Sequence, residues 1–261
     1  MDHVCGRNDG DLQRMFALYD NGHVTEALDM LHKLLRRSPQ LRKNGDFCIL
    51  QAELEMLVHG DTCKALDLID KANEFTCTQM AYYYKVRGDI MAGASKLREA
   101  AENYQQSIAL EPDIDILTAL AQVLSMLEDT HVTGVCQQIL NNDPDNPYGH
   151  IYLGWQAARA GEVSKAFVMG KRAEKRINSA HAHFELARLY QELGEYQDAL
   201  NEYLEASRTG YRHKGLLYAC IAASYLSLGL LDEAHNYCLW AIRCEPDNEY
   251  AKEVWDKIGT S

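Results

Sequence analysis

The sequence predicts an all-α chain, an α-solenoid of about seven stacked helical hairpins closed by one further helix. Three observations predict it. An inward-facing small residue returns at Ala27, Ala65, Ala100, Val132, Ala166, Ala199 and Ala234, at steps of 38, 35, 32, 34, 33 and 35. All five prolines, Pro39, Pro112, Pro144, Pro147 and Pro246, fall between the predicted hairpins; inside a helix each would cost about 3 kcal/mol. Apolar residues also recur at helical spacing in segments too short to bury their own stripe. Residues 182–207 show this best. Leu186, Ala187 and Tyr190 share a face of one helix, Ala199, Tyr203 and Ala206 share a face of the next, and Gly194 makes the turn. Neither helix has an interior of its own, so order must come from stacking on a neighbouring hairpin.

Taken in order, residues 1–9 are polar and Gly-bearing and read as a flexible start to a solenoid spanning 10–258. The first repeat, about 8–41, has a helix over 12–20, a turn at Asn21-Gly22 and a second helix carrying Ala27, Leu31 and Leu34, which Pro39 stops. The second, about 46–79, has a helix over 47–58, a turn at Gly60, and Ala65, Ile69 and Ala72 inward. The third, about 81–112, places Gly88 on its first helix and Ala100, Tyr104 and Ile108 on its second. The fourth, about 113–145, is the least regular: its turn, Glu128-Asp129-Thr130, lacks glycine, and Val132 stands where the others have alanine. The fifth, about 147–179, carries Leu153-Gly154, Gly161, Ala166 and Ala173; the sixth, about 180–213, holds the segment described above. The seventh, about 214–248, repeats it with Tyr225, Gly229, Ala234, Ala241 and Pro246. A last helix, 249–258, offers Tyr250, Val254 and Ile258 to the seventh repeat and Lys252, Glu253, Asp256 and Lys257 to water, with Trp255 at the edge.

Composition narrows the functions. The 261 residues carry 26 Lys plus Arg against 38 Asp plus Glu, a formal charge of −12. That balance argues against nucleic acid and against an anionic membrane surface, both of which call for clustered cations. No stretch approaches the roughly 18 apolar residues of a membrane span. The start, MDHVCGRNDGDLQ, lacks an apolar export core. Eight cysteines occur without a C-x-x-C pair, which reads as reduced thiols in the cytoplasm, with the nucleus as the alternative. No Gly-rich phosphate loop, nucleophile elbow or acid–base carboxylate pair is present, so no enzyme, catalytic residue, metal or cofactor is expected. His181 and His183 are two apart on a helix and make a poor metal pair. Lys33, Arg36, Arg37, Arg42 and Lys43 form a basic patch. It reads chiefly as cations at a helix C-terminus, with a nucleic-acid or phosphopeptide site as the minor alternative.

The period near 34, with Leu-Gly or Leu-Ala and Tyr on the first helix and Ala, an aromatic, Ala and Pro on the second, resembles the tetratricopeptide repeat (TPR). Leu186-Ala187, Tyr190, Gly194, Tyr196, Ala199, Tyr203 and Ala206 carry the resemblance best; the fourth repeat and Arg87 depart from it. The resemblance implies a right-handed superhelix whose first helices line a concave groove that takes a protein or peptide. Removing the packing face of each first helix leaves Tyr82, Lys85 and Asp89 in the third repeat. It leaves Tyr148, Ile151, Trp155 and Arg159 in the fifth, and His181, Phe184, Arg188 and Glu192 in the sixth. Of these, Tyr82, Lys85, Tyr148, Ile151, Trp155, Arg159, Phe184 and Arg188 are the candidate partner-binding residues, a hot-spot composition. Packing between helices is the competing reading, even for Trp155 and Tyr148 and favoured for Phe184. Co-chaperones of this family grip acidic C-termini with a clamp of Lys, Asn and Arg. The matching positions here hold Leu12, Phe16, Gln51, Tyr82 and Val86, or Ile151, Trp155, Glu185, Leu216 and Cys220, and neither set is a clamp. The expected function is an interaction scaffold or adaptor; the alternative is a clamp-less co-chaperone or assembly factor.

Overall fold

The computed structural model describes residues 5–75 and 77–259, with side chains described from residue 10 onward. Among the described residues there are fifteen α-helices, two short 3-10 turns and no strand. The chain divides into two compact units after Asp129, inside the turn that the sequence marks as irregular.

The first unit holds α1 (Cys5–Asp20), α2 (Val24–Arg37), α3 (Gly45–His59), α4 (Thr62–Ala72), α5 (Met80–Gly93), α6 (Leu97–Leu110) and α7 (Ile114–Met126). Here α1 pairs with α2, α3 with α4 and α5 with α6, while α7 lies against α6. The second unit holds α8 (Val132–Asn142), α9 (Pro147–Arg159), α10 (Val163–Ala173), α11 (Ala180–Glu192), α12 (Tyr196–Arg208), α13 (Lys214–Ser227), α14 (Leu231–Cys244) and α15 (Glu249–Gly259). There α9 pairs with α10, α11 with α12 and α13 with α14; α8 lies against α9, and α15 against both α13 and α14.

The inward positions are the core. Ala27, Ala65, Ala100, Val132, Ala166, Ala199 and Ala234 are all fully buried, because a small side chain lets paired helices approach until ridges fill grooves. Three helical glycines take this further. A Cβ at Gly88 would meet Tyr104 Cε1 at 2.6 Å, one at Gly154 would meet Leu189 Cδ2 at 2.6 Å, and one at Gly170 would meet Tyr190 Cε1 at 2.8 Å.

The turn after the first helix of a pair needs one left-handed residue. Glycine supplies it at Gly22, Gly60, Gly161, Gly194 and Gly229, with φ between 67° and 79°. Ser95, between α5 and α6, and Glu128, after α7, take the same conformation at φ 59° and 56°. The fourth turn therefore keeps the geometry and lacks only the residue that adopts it cheaply.

One boundary differs from the reading of the sequence. The helix α1 starts at Cys5, inside the 1–9 segment expected to be flexible, and runs through Gly10. Gly6 and Gly10 both fall within it; each costs at most about 1 kcal/mol, which the rest of a 16-residue helix can offset. Residues 1–4 of that expectation lie outside the described residues. The start of α9 has a local cause: Pro147 occupies its first turn, and Asn146 Oδ1 accepts hydrogen bonds from the Tyr148 and Gly149 amides at 3.1 and 3.2 Å.

Candidate functional site

In the first unit, Tyr82 and Lys85 of α5 meet Glu53 of α3, a carboxylate only 4% exposed. The Tyr82 hydroxyl donates to Glu53 Oε2. Lys85 Nζ lies 2.6 Å from Glu53 Oε1 and 2.9 Å from Asp89 Oδ2. The Tyr104 hydroxyl donates to the other oxygen of Asp89 at 2.8 Å. Burial opposes the Lys85 charge, but Asp89 and Glu53 more than offset it, and its proton is held more tightly than usual. Burial and the Glu53 charge push the Tyr19 hydroxyl up to about 12. Tyr82 and Lys85 thus belong to a half-buried network tying α3 to α5. The helix-face argument weighed one helix at a time, so it could not see Glu53 arriving from another.

In the second unit two further candidates are core residues. Ile151 is fully buried and Phe184 is 3% exposed. The Phe184 ring stacks on Tyr211 at 4.2 Å between centroids and tilts against Tyr203 at 5.6 Å. The helix α9 is flanked by α8, α10 and α11, so little of its surface is left over, and the Ile151 row is consumed by packing. Tyr148 is half-buried. Its hydroxyl shares a 3.0 Å hydrogen bond with Ser179, the N-cap of α11, and its ring lies near Tyr152 and His181. Tyr148 therefore ties the start of α9 to the start of α11.

Trp155, Arg159 and Arg188 remain together. Arg159 follows one turn after Trp155 on α9 and places its guanidinium carbon 5.7 Å from the ring centroid; Arg188 reaches over from α11 to 5.6 Å. Both distances suit cation–π attraction. Arg188 is 47% exposed and forms a loose ion pair with Glu185 at 3.5 Å. Burial works against its charge and the Glu185 carboxylate restores it, leaving the guanidinium firmly protonated.

Trp155 and Arg188 line a cleft of about 610 Å³, together with Phe184, Gln191, Tyr203, Cys220 and Tyr250. Its floor is ordered. The Tyr203 hydroxyl donates to Gln191 Oε1 at 2.7 Å, and Gln191 Nε2 donates to the Tyr250 hydroxyl at 3.3 Å. Burial pushes the Cys220 thiol up to about 11, so it stays protonated and unreactive near neutral pH. The cleft can hold an apolar group against the indole and a carboxylate against the guanidinium. The sequence reading missed Gln191 and Tyr250 as cleft residues. Tyr250 sat on the stripe expected to cover the seventh repeat, and no single-helix pattern shows it reaching α11.

No described helix is long and apolar enough to cross a membrane. No family model matches the sequence, and no curated protein matches it. Solved structures do. A tetratricopeptide repeat protein from Parabacteroides merdae is 14% identical, with a TM-score of 0.72 over 97% of this chain and 98% of that one. A thermophilic TPR protein of Thermus thermophilus is 18% identical, with a TM-score of 0.58 over 69% of this chain and 100% of that one. A chain of the APC/C Cut9–Hcn1 hetero-tetramer is 15% identical, with a TM-score of 0.71 over 94% of this chain; this chain spans 48% of it. At such identities the likeness speaks to architecture alone. The chain has the tetratricopeptide-repeat fold.

Proposed function

We propose that this chain, built on the tetratricopeptide-repeat fold, is a protein-binding scaffold or adaptor. It holds a segment of a partner protein in the cleft of its second unit. The supporting observation is the Trp155 indole set under the guanidinium groups of Arg159 and Arg188 beside that cleft. Large aromatics flanked by arginines dominate the energetics of protein interfaces. The segment that fits presents an apolar side chain to Trp155 and a carboxylate to Arg188. The free thiols of Cys48, Cys63, Cys77, Cys136, Cys220, Cys238 and Cys244 support a reducing compartment, the cytoplasm or nucleus.

The test is selection of peptides from a displayed random library on the purified chain. Affinities are then measured for the parent, Trp155→Ala and Arg188→Ala, with helicity followed by circular dichroism. Loss of a central anchor worth about 2 kcal/mol weakens binding roughly 30-fold. Selected peptides that bind both variants as tightly as the parent place the contact elsewhere and end this reading. A few tight sequences favour an adaptor; many weak, unrelated ones favour the chaperone-like assembly factor.

A further inference from the structure

A second cavity, of about 370 Å³, lies in the first unit between α2, the 3-10 turn Pro39–Lys43, α3 and α4. It is separate from the cleft of the second unit. Four Lys and Arg side chains line it; Lys64 of α4 is taken up by Glu55, which leaves three from three different elements: Arg36 from α2, Arg42 from the 3-10 turn and Lys71 from α4. None of the three forms an ion pair among the described residues, although the neighbouring Arg37 does, with Asp11 at 2.9 Å. The one acid in the lining, Glu55, is already neutralised: Lys64 Nζ lies 2.8 Å and His32 Nε2 3.1 Å from its Oε1.

The charge count decides what would fit. Arg36 and Lys71 sit in the last turns of their helices, where the backbone presents about half a negative charge per helix end. Two ends offset about one of the three cations, so a surplus near two positive charges is left. A carboxylate would cancel half of it. A phosphomonoester, carrying about −1.5 to −2 at neutral pH, matches it. The whole chain at −12 repels an extended polyanion, while a single anionic group inside a cavity feels mainly the local cations. Leu41 and Phe47 in the lining offer apolar surface for the carbon chain of an ester.

We infer that this cavity is a binding site for a phosphomonoester, held by Arg36, Arg42 and Lys71. The ester can come from a phosphorylated serine or threonine of a protein segment or from a small phosphorylated molecule; the recognising chemistry is shared.

The test is a ¹H–¹⁵N NMR titration of the full chain at constant ionic strength. The probes are inorganic phosphate, a capped peptide with one phosphoserine flanked by leucines, and the same peptide unphosphorylated. Saturable shifts confined to amides in 32–48 and 64–71, given by the phosphate-bearing probes and not by the bare peptide, are expected. Arg42→Ala and Lys71→Ala change exposed side chains, so their melting temperatures should hold while affinity falls about tenfold or more. Trp155→Ala should leave the titration unchanged, which separates this site from the cleft. Tighter binding of the phosphopeptide assigns the site to a modified protein segment, and equal binding of inorganic phosphate to a small ligand. Absence of saturable shifts with both phosphate probes, an equal response to the bare peptide, or undiminished affinity in Arg42→Ala and Lys71→Ala overturns the inference.

Discussion

Gly88 lies beneath the ring of Tyr104, whose hydroxyl is held by Asp89. In an exposed helix, exchanging glycine for alanine gains about 1 kcal/mol. Here the new methyl meets a tethered, buried ring, and overpacking costs about 1–3 kcal/mol. The sign therefore reverses: Gly88→Ala should lower the urea midpoint, and a raised midpoint would show that the ring yields. Glu55 gives a pH signature. Burial raises its pKa, but Lys64 and His32 outweigh that, and the folded value lies below the unfolded one. Its contribution is present above the ordinary carboxylate range and is lost as pH falls through the folded value. Glu55→Gln should cost about 1–3 kcal/mol near pH 7, and the gap to the parent should close in acid. Equal gaps at pH 7 and in acid, read from urea curves, would rule out the ion pair as the cause. The small inward residues were legible from periodicity alone. Glu53 and Glu55 were not, because an acid on a helix reads as solvated until its partners on other helices are known.

The turns decide the matter at the scale of the element. Ser95 and Glu128 occupy left-handed backbone that glycine fills in the turns at Gly22, Gly60, Gly161, Gly194 and Gly229, at a cost of about 1–2 kcal/mol for a residue with a side chain. Ser95→Gly should therefore raise stability by about 0.5–1 kcal/mol, the gain being trimmed by the freer unfolded chain. Gly194→Ala should lower it by about 1 kcal/mol. Thermal melts of the two variants should move in opposite directions; a shared direction would mean that the turn conformation does not set their stability. Helix order and the proline-marked breaks were legible because they are local properties. The faces of α9 and α11 were not, because the neighbours of each helix decide which row packs. Ile151 went to the core, while Trp155 and Arg188 were left at the cleft; Phe184, for which packing was the favoured reading, is buried and also lines that cleft.

Across the second unit as a whole, α15 covers what the pairing of α13 with α14 leaves open. Its Val254 and Ala251 are buried, Tyr250, Trp255 and Ile258 are partly so, and the Cys238 thiol donates to the Ala251 carbonyl at 3.1 Å. Ending the chain after Asn248 should cost this unit roughly 3–5 kcal/mol and remove Tyr250 from the cleft. Denaturation curves of the shortened and full chains test this, and coincident curves would make α15 an ornament. The stacking of hairpins was legible in the spacing; the cleft was not, since its walls come from α9, α11, α12, α13 and α15. The glycines under tyrosine rings carry one last implication. Gly88 lies under Tyr104, tethered to Asp89, and Gly170 under Tyr190, tethered to Glu174. Neither partner in such a couple drifts freely: a methyl gained at 88 or 170 crowds the ring at 104 or 190 and costs stability for as long as that ring stays. Descendants of this chain should inherit each couple intact or replace it jointly.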